Sequence, residues 1–303
     1  MLLFNIMKPA YKSVLLTIPF LVLFFVIRNL PVEPCDFLHE ETYNAEGEID
    51  YCGSDDNGFV DLSIRKWPMN AEFKAIDSLK INQPCKFEIN IEQADGSPLT
   101  SKDVALSHTQ KIHLLAVNES LDDYQHIHPV ADGLFDGVWH FEITPKLAGK
   151  YSLFLDFIPA KSPRRVLISS SFNVSGEEDF TRVEKETLAY SFGDINFQLE
   201  KQISQTKEGQ IDLTLLAKSK SGDTVGFYPV MGAFAHLVAF DQNAVGFAHL
   251  HPLEDLRPVK LSEAYTGSLT FGFSAPKPGI YRLWAQVKTS LDEETFIPFD
   301  IRV

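Results

Sequence analysis

Cysteine is scarce: Cys35, Cys52 and Cys85 are the only three in 303 residues, too few for a disulfide-built fold, and none belongs to a C-x-x-C motif. In an exported chain, Cys35 and Cys52 would close a small loop and leave Cys85 buried on a strand; all three reduced is the other open reading. Positive charge is also in deficit. Lys and Arg number 27 against 41 Asp and Glu, a net charge of −14 with pI near 5.0, which argues against nucleic acid or an anionic membrane surface as partner. No extended 3.6-residue periodicity is present, which excludes a helical bundle. There is no G-x-S-x-G, no P-loop and no H-E-x-x-H, so the common hydrolase, nucleotide and metalloprotease signatures are missing.

Apolar residues make up 45% of the chain and 24 residues are Phe, as expected of a folded β-rich protein. The N-terminus carries Lys8 and Lys12, an apolar run from Val14 to Ile27, then Arg28 and a Pro-containing acidic stretch. This is the pattern of an export signal or membrane anchor. With no small-x-small cleavage site after it, an uncleaved anchor in the inner membrane is expected, with the C-terminal part outside the cytoplasm. A cleaved signal and a periplasmic or secreted chain is the alternative. Residues 1–34 form this segment and 35–57 an acidic linker.

Short alternating runs follow: Phe59–Ile64, Phe87-x-Ile89-x-Ile91, Val138–Ile143, Tyr151–Phe157 and Val166–Val174, with turn signals such as Asp95-Gly96 and Asp136-Gly137 between them. After a charged stretch at 176–187 the order repeats: Ile195–Leu199, Ile211-x-Leu213-x-Leu215, Leu269–Phe273, Ile280–Val287 and Phe296–Val303. Six or seven such strands in each half predict an all-β protein of two tandem immunoglobulin-like antiparallel sandwiches, over 58–175 and 188–303.

Each half carries the same histidine spacing: His113, twelve residues, then His126-x-His128-Pro129; and His236, twelve residues, then His249-x-His251-Pro252. Six of the nine histidines lie in this repeat. Each copy reads as a β-hairpin, and a symmetric hairpin places His113 opposite His126 and His236 opposite His249, with His128 and His251 on the same face. Two clusters of three imidazoles result. Such a cluster binds a divalent transition metal with one position left open, and an all-imidazole set suits Cu(II), Zn or Ni. The simpler reading is that a duplicated hairpin keeps its histidines for packing or for hydrogen bonds to backbone carbonyls.

Lys111-Ile112-His113-Leu114-Leu115-Ala116-Val117, an acidic turn, Tyr124-Gln125-His126-Ile127-His128-Pro129, and Ala148-Gly149-Lys150-Tyr151 together resemble small exported bacterial domains of the YtkA-like group and, more distantly, the CopC-type periplasmic copper carriers. The likeness covers the His hairpin and the following Gly-x-Tyr strand of each half. It implies an immunoglobulin-like fold, an extracytoplasmic location and a link to copper or another heavy metal. With four methionines the chain departs from the Met-rich pattern of copper(I) carriage.

His108 and its counterpart Met231 lie five residues before His113 and His236; the odd spacing puts them on the opposite face if the strand continues, so they are weak fourth-ligand candidates. His140 reads as packed, His39 as solvated, and Asp122 and Asp123 as turn residues. His249-x-His251-x-x-Glu254 is similar to the first cupin motif, but Ala131 stands where the first copy should have the Glu. The expectation is a binding protein, not an enzyme, with a three-His site for Cu(II) or Zn in each half, serving metal storage, delivery or sensing with an envelope metal-handling or adhesion partner. A metal-free interaction module of the envelope is the alternative, and a cupin-like or zinc-dependent enzyme ranks below both.

Overall fold

Strict alternation shapes the strands around each core. In Cys85–Glu92, Cys85, Phe87, Ile89 and Ile91 are buried while Lys86 and Glu92 face outward. The computed structural model describes residues 9–29, 41–43, 49–51, 58–63, 67–162, 164–177, 184–254 and 260–303. Its elements are α1 (Pro9–Arg28), β1 (Glu41–Tyr43), β2 (Ile49–Tyr51), β3 (Val60–Asp61), β4 (Asn70–Ala75), β5 (Cys85–Glu92), β6 (Ile112–Asn118), β7 (Tyr124–Ile127), β8 (Val130–Ala131), β9 (Val138–Ile143), β10 (Gly149–Phe157), β11 (Val166–Val174), β12 (Ala189–Phe192), β13 (Ile195–Ile203), β14 (Ile211–Ser219), β15 (His236–Asp241), β16 (Gly246–Leu250), β17 (Leu269–Phe273), β18 (Ile280–Lys288) and β19 (Glu294–Arg302).

Residues 1–35 and 36–303 divide into two units. In the first, the apolar run is helical as α1. Among the described residues no helix is long and apolar enough to cross a membrane. Cys35, Cys52, His39 and most of the acidic linker lie outside the described residues. Cys85 is a buried free thiol on β5.

The second unit is mostly β, with four antiparallel sheets besides the β1–β2 pair. Their orders are β4-β5-β9-β8 and β11-β10-β6-β7 in the first half, and β12-β13-β14-β17 and β19-β18-β15-β16-β3 in the second. Phe87, Ile89, Leu114, Trp139 and Leu153 share one core; Leu213, Leu215, Phe271, Leu283 and Phe299 share the other.

A third cluster joins the halves: Leu115, Val117 and Phe154 pack with Val238, Phe240, Phe247 and Trp284. That is why every residue of β6 and of β15 is buried. Leu114 and Ala116 point into the first core, while Leu115 and Val117, on the opposite face, enter the seam. Strands buried on both faces read as continuous apolar runs. His113 and His236 share the seam-facing parity of Leu115 and Val238, so the sequence pattern aims both histidine hairpins at the boundary between the halves.

Three details depart from the sequence expectations. Val60–Asp61, read as the first strand of the first half, pairs with Gly246–Phe247 and forms the edge of the second half's sheet. The close approach requires glycine, because a Cβ on Gly246 would lie 1.8 Å from the Val60 carbonyl oxygen. Strand β4 escaped the sequence reading because its outward positions carry Asn70, Glu72 and Lys74 and its inner face is only half buried. The hairpin register is shifted by two: Leu115 lies opposite His126 and Val238 opposite His249. The loops are centred one residue late because Asn118 and Asp241 cap them with their side chains, and Leu121 and Ala244 take positive φ of 66° and 47°. A shift of two preserves the face, so the three histidines of each hairpin remain together.

Candidate metal centre

His113, His126 and His128 form one group and His236, His249 and His251 another, each with one ring nitrogen per residue within 4.8 Å of the others. Both predicted triads are therefore brought together. Strand β6 supplies His113 and β7 supplies His126, while His128 lies just past the strand end; β15, β16 and the residue after β16 do the same for the second triad. At Pro129 and Pro252 the chain leaves the seam sheet for its partner: Val130–Ala131 pairs with β9, and Pro252 bridges to Phe271 of β17. A proline cannot continue the ladder, so the last histidine is held where the strand breaks.

Backbone carbonyls fix the first ligand of each set. His113 Nε2 lies 2.8 Å from the Ser107 carbonyl oxygen, and His236 Nε2 lies 3.1 Å from that of Val230. A carbonyl only accepts, so Nε2 carries the proton in each and Nδ1 presents a lone pair. That lone pair faces the next histidine: His113 Nδ1 is 2.9 Å from His126 Nε2, and His236 Nδ1 is 3.1 Å from His249 Nε2.

The second ligand is oriented from the other half. His126 Nδ1 lies 2.7 Å from Gln286 Oε1. The Gln286 amide nitrogen donates to Glu294, so its oxygen is the end that accepts from His126. His249 Nδ1 stands 3.8 Å from the Asp156 carboxylate, beyond hydrogen-bond length yet within ion-pair reach. Asp156 is held in turn by Arg165, whose Nε donates at 2.6 Å. Burial pushes the Asp156 carboxyl above its usual range and the Arg165 guanidinium down, to about 9; their two-pronged pairing keeps both charged at neutral pH.

The first triad thus leaves two lone pairs opposed. With His126 Nδ1 donating to Gln286, its neutral ring has only a lone pair at Nε2, pointed at the lone pair of His113 Nδ1 across 2.9 Å. That contact is repulsive unless a cation sits between the nitrogens. A proton is opposed by burial: desolvation, reinforced by neighbouring imidazoles, holds His126 well below its ordinary value and His113 down at about 3. His128, lowered to about 4 by burial, has its Nε2 buried without a hydrogen-bond partner among the described residues. In the second triad, burial likewise lowers His236 to about 4 and His249 well below normal. Neutral imidazoles with the far nitrogen tied to an acceptor are what a metal ligand requires. The 2.9 and 3.1 Å separations of the first two ligands in each triad are short enough for both to bind one ion with bonds of about 2.0–2.1 Å. The residues present fit the ion.

Other candidates fall away. Glu254 accepts the Thr270 backbone N–H with both oxygens, at 2.9 and 3.0 Å, and belongs to neither group, so the cupin-like motif is not assembled. His140, read as packed, is partly exposed and bonded to Asp132 at 2.8 Å. Asp123 accepts from the Tyr151 hydroxyl at 2.5 Å, and Asp122 takes Arg282 of the other half at 2.7 Å, so both exceed turn chemistry. His108 does not lie on a continuing strand. Ser107 and Gln110 exchange backbone hydrogen bonds around it, with φ of 50° at His108 and 68° at Thr109, the positive values of a tight two-residue turn. Its ring is buried against the second triad.

Sequence reasoning missed Asp156 and Gln286. The two occupy equivalent positions, 130 residues apart in the repeat, each a polar residue within the apolar part of its strand, and that correspondence was the available signal.

No curated protein matches the chain. Among solved structures, it is similar to MtrC from Shewanella baltica OS185 (8% identity, 76% of this chain and 68% of that one, TM-score 0.23). Others are a DUF4785 family protein from Legionella pneumophila (14%, 78% and 57%, TM-score 0.25) and a Salmonella alpha-2-macroglobulin mutant (10%, 79% and 17%, TM-score 0.24). At these scores none carries an argument. The model of the family described as "Domain of unknown function (DUF8832)" matches residues 69–173 and 190–303, most of the chain, and the protein belongs to that family.

Proposed function

We propose that this is an extracytoplasmic metal-binding protein of two immunoglobulin-like sandwiches. His113, His126 and His128 hold one divalent transition ion, and His236, His249 and His251 hold another. Cu(II) and Zn are the ions favoured by an all-imidazole donor set, and the reading assigns storage, delivery or sensing, not turnover. The observation that carries it is the pair of opposed lone pairs on His113 and His126 at 2.9 Å, which a shared cation relieves. The immunoglobulin-like reading is supported by a tyrosine corner in each half: Tyr281 donates to the carbonyl four residues upstream, that of Lys277, and the Tyr151 hydroxyl, which donates to Asp123, lies 3.2 Å from the equivalent Leu147 carbonyl. The Lys-flanked apolar segment at α1 supports export, and the resemblance of the hairpins to exported copper-carrier domains points the same way.

Metal content and competition titration test the reading, with the chain compared against the His126→Gln, His249→Gln double variant. Stoichiometric Cu(II) or Zn at sub-micromolar affinity, lost in the variant, is the expected outcome. No stoichiometric binding would make the histidines structural and favour an envelope interaction module.

A further inference from the structure

The two triads meet ring against ring. His249 lies 5.6 Å from His126 and 5.8 Å from His113, centroid to centroid, across the seam. Within the triads the spacings run from 4.8 Å (His249 to His251) to 5.3 Å (His236 to His249), so the gap between the sites is barely wider than the sites themselves. We propose that the triads form a single two-metal centre built jointly by both halves, in which the two ions interact. This deepens the metal-binding reading and rests on it.

Two further observations point the same way. His108, from the first half, stacks on His251 at 3.9 Å and meets His236 edge-on at 5.5 Å, and it also lies 6.2 Å from His113 of its own half. One ring therefore touches both sets. It is held there by a turn whose second central residue, β-branched Thr109, takes φ of 68°, a conformation that persists only when its surroundings enforce it. The repeat counterpart of Thr109 is Gly232, and a Cβ there would sit 3.7 Å from the Thr109 methyl, so the two equivalent turns meet at the seam. The acceptors are also exchanged: Gln286 of the second half orients His126, and Asp156 of the first half faces His249. Neither site is complete without the opposite half, as at an interface where equivalent patches meet about a pseudo-two-fold axis.

Cu(II) added to the full chain gives a direct test, because two paramagnetic ions a few ångströms apart lose the ordinary mononuclear signal through spin–spin coupling. Bound copper is counted and the electron paramagnetic resonance spectrum integrated at one and at two equivalents. Expected are two bound ions with a broadened or diminished signal at the second equivalent, while His126→Gln and His249→Gln each bind one ion and show the uncoupled spectrum. Two bound ions with additive mononuclear signals would overturn the joint centre and leave two separate triads. A single ion bound by the unaltered chain would also overturn it, with the seam holding one shared metal. No bound copper would remove the underlying reading as well. The counts and spectra of the unaltered chain decide among these outcomes even if a variant fails to fold.

Discussion

The two triads have the same three histidines at the same spacing, and differ in what surrounds them. In the second, all three residues are buried; in the first, His126 and His128 are only partly so. A surface recess lined by Tyr124, Gln125, His126, Ile127 and Phe296 opens beside the first. The acceptors differ too, a neutral Gln286 anchored by the exposed Glu294 against a charged Asp156 anchored by the buried Arg165. A shared backbone plan therefore sets the ligand geometry, while the sheet facing each hairpin sets its charge and its access. The two positions are expected to be unequal in the ease with which an ion enters or leaves.

Breaking the acceptors separates the two sides most strongly. Asp156→Ala removes the buried carboxylate that pairs with Arg165, which costs about 3–5 kcal/mol; Gln286→Ala removes a neutral acceptor from His126 and costs about 1–2 kcal/mol. Urea unfolding of the metal-free variants measures both, and equal losses would mean that the asymmetry of charge has no energetic consequence.

Acid tests what both triads share. Five of their histidines, His113, His126, His128, His236 and His249, have folded-state values depressed by burial below the unfolded value of about 6.5, so the unfolded chain takes up protons first as pH falls. The stability they confer is present above pH 6.5 and is lost as pH falls toward the folded values. With His236 at about 4, that residue alone accounts for about 3 kcal/mol at 1.36 kcal/mol per unit. The metal-free chain should lose stability steadily from pH 6.5 to 4, whereas a flat profile would mean that the rings are solvated.

Gln286→Leu sharpens the comparison at one site. Removing the acceptor that fixes the tautomer of His126 should weaken the first position about 10–100-fold and leave the second unchanged, which a two-site competition titration resolves. An equal effect on both would show that Gln286 acts through the seam as a whole.

Much of this was legible in the sequence. Period-two alternation placed β9, β11 and β17 to the residue, and the duplicated histidine spacing found both triads. The shift in register was not legible, because it depends on Asn118 and Asp241 capping their own loops, a choice among turn geometries that spacing alone leaves open. The contact between the triads was hidden for another reason. Apolar runs such as Ile112–Val117 show that a strand is buried on both faces without showing what covers it, and here the cover is the repeat's other copy. His108 was discounted because odd spacing on a strand means the opposite face, and the turn at Ser107–Gln110 removes that premise.

The smallest expected difference lies at the tyrosine corners, and it isolates one hydrogen bond. Tyr151 donates to Asp123 as well as approaching the Leu147 carbonyl, and Asp123 also accepts the Lys146 backbone N–H at 2.8 Å. Among the described residues Tyr281 has only the Lys277 carbonyl, at 2.9 Å, because Gly246 occupies the place of Asp123 in the repeat. Hydrogen bonds to a charged group contribute about 1.5–3 kcal/mol and neutral ones about 0.5–1.5. Tyr151→Phe should therefore destabilise the chain by about 1 kcal/mol more than Tyr281→Phe in urea unfolding. Asp123 ties the first hairpin's turn to the loop before β10, so Tyr151→Phe should also loosen that turn, seen as faster amide exchange at Asp122 and Asp123. Equal losses in the two variants would mean that the carboxylate adds nothing to the corner, and that the first hairpin is held by its Asn118 cap alone, as the second is by Asp241.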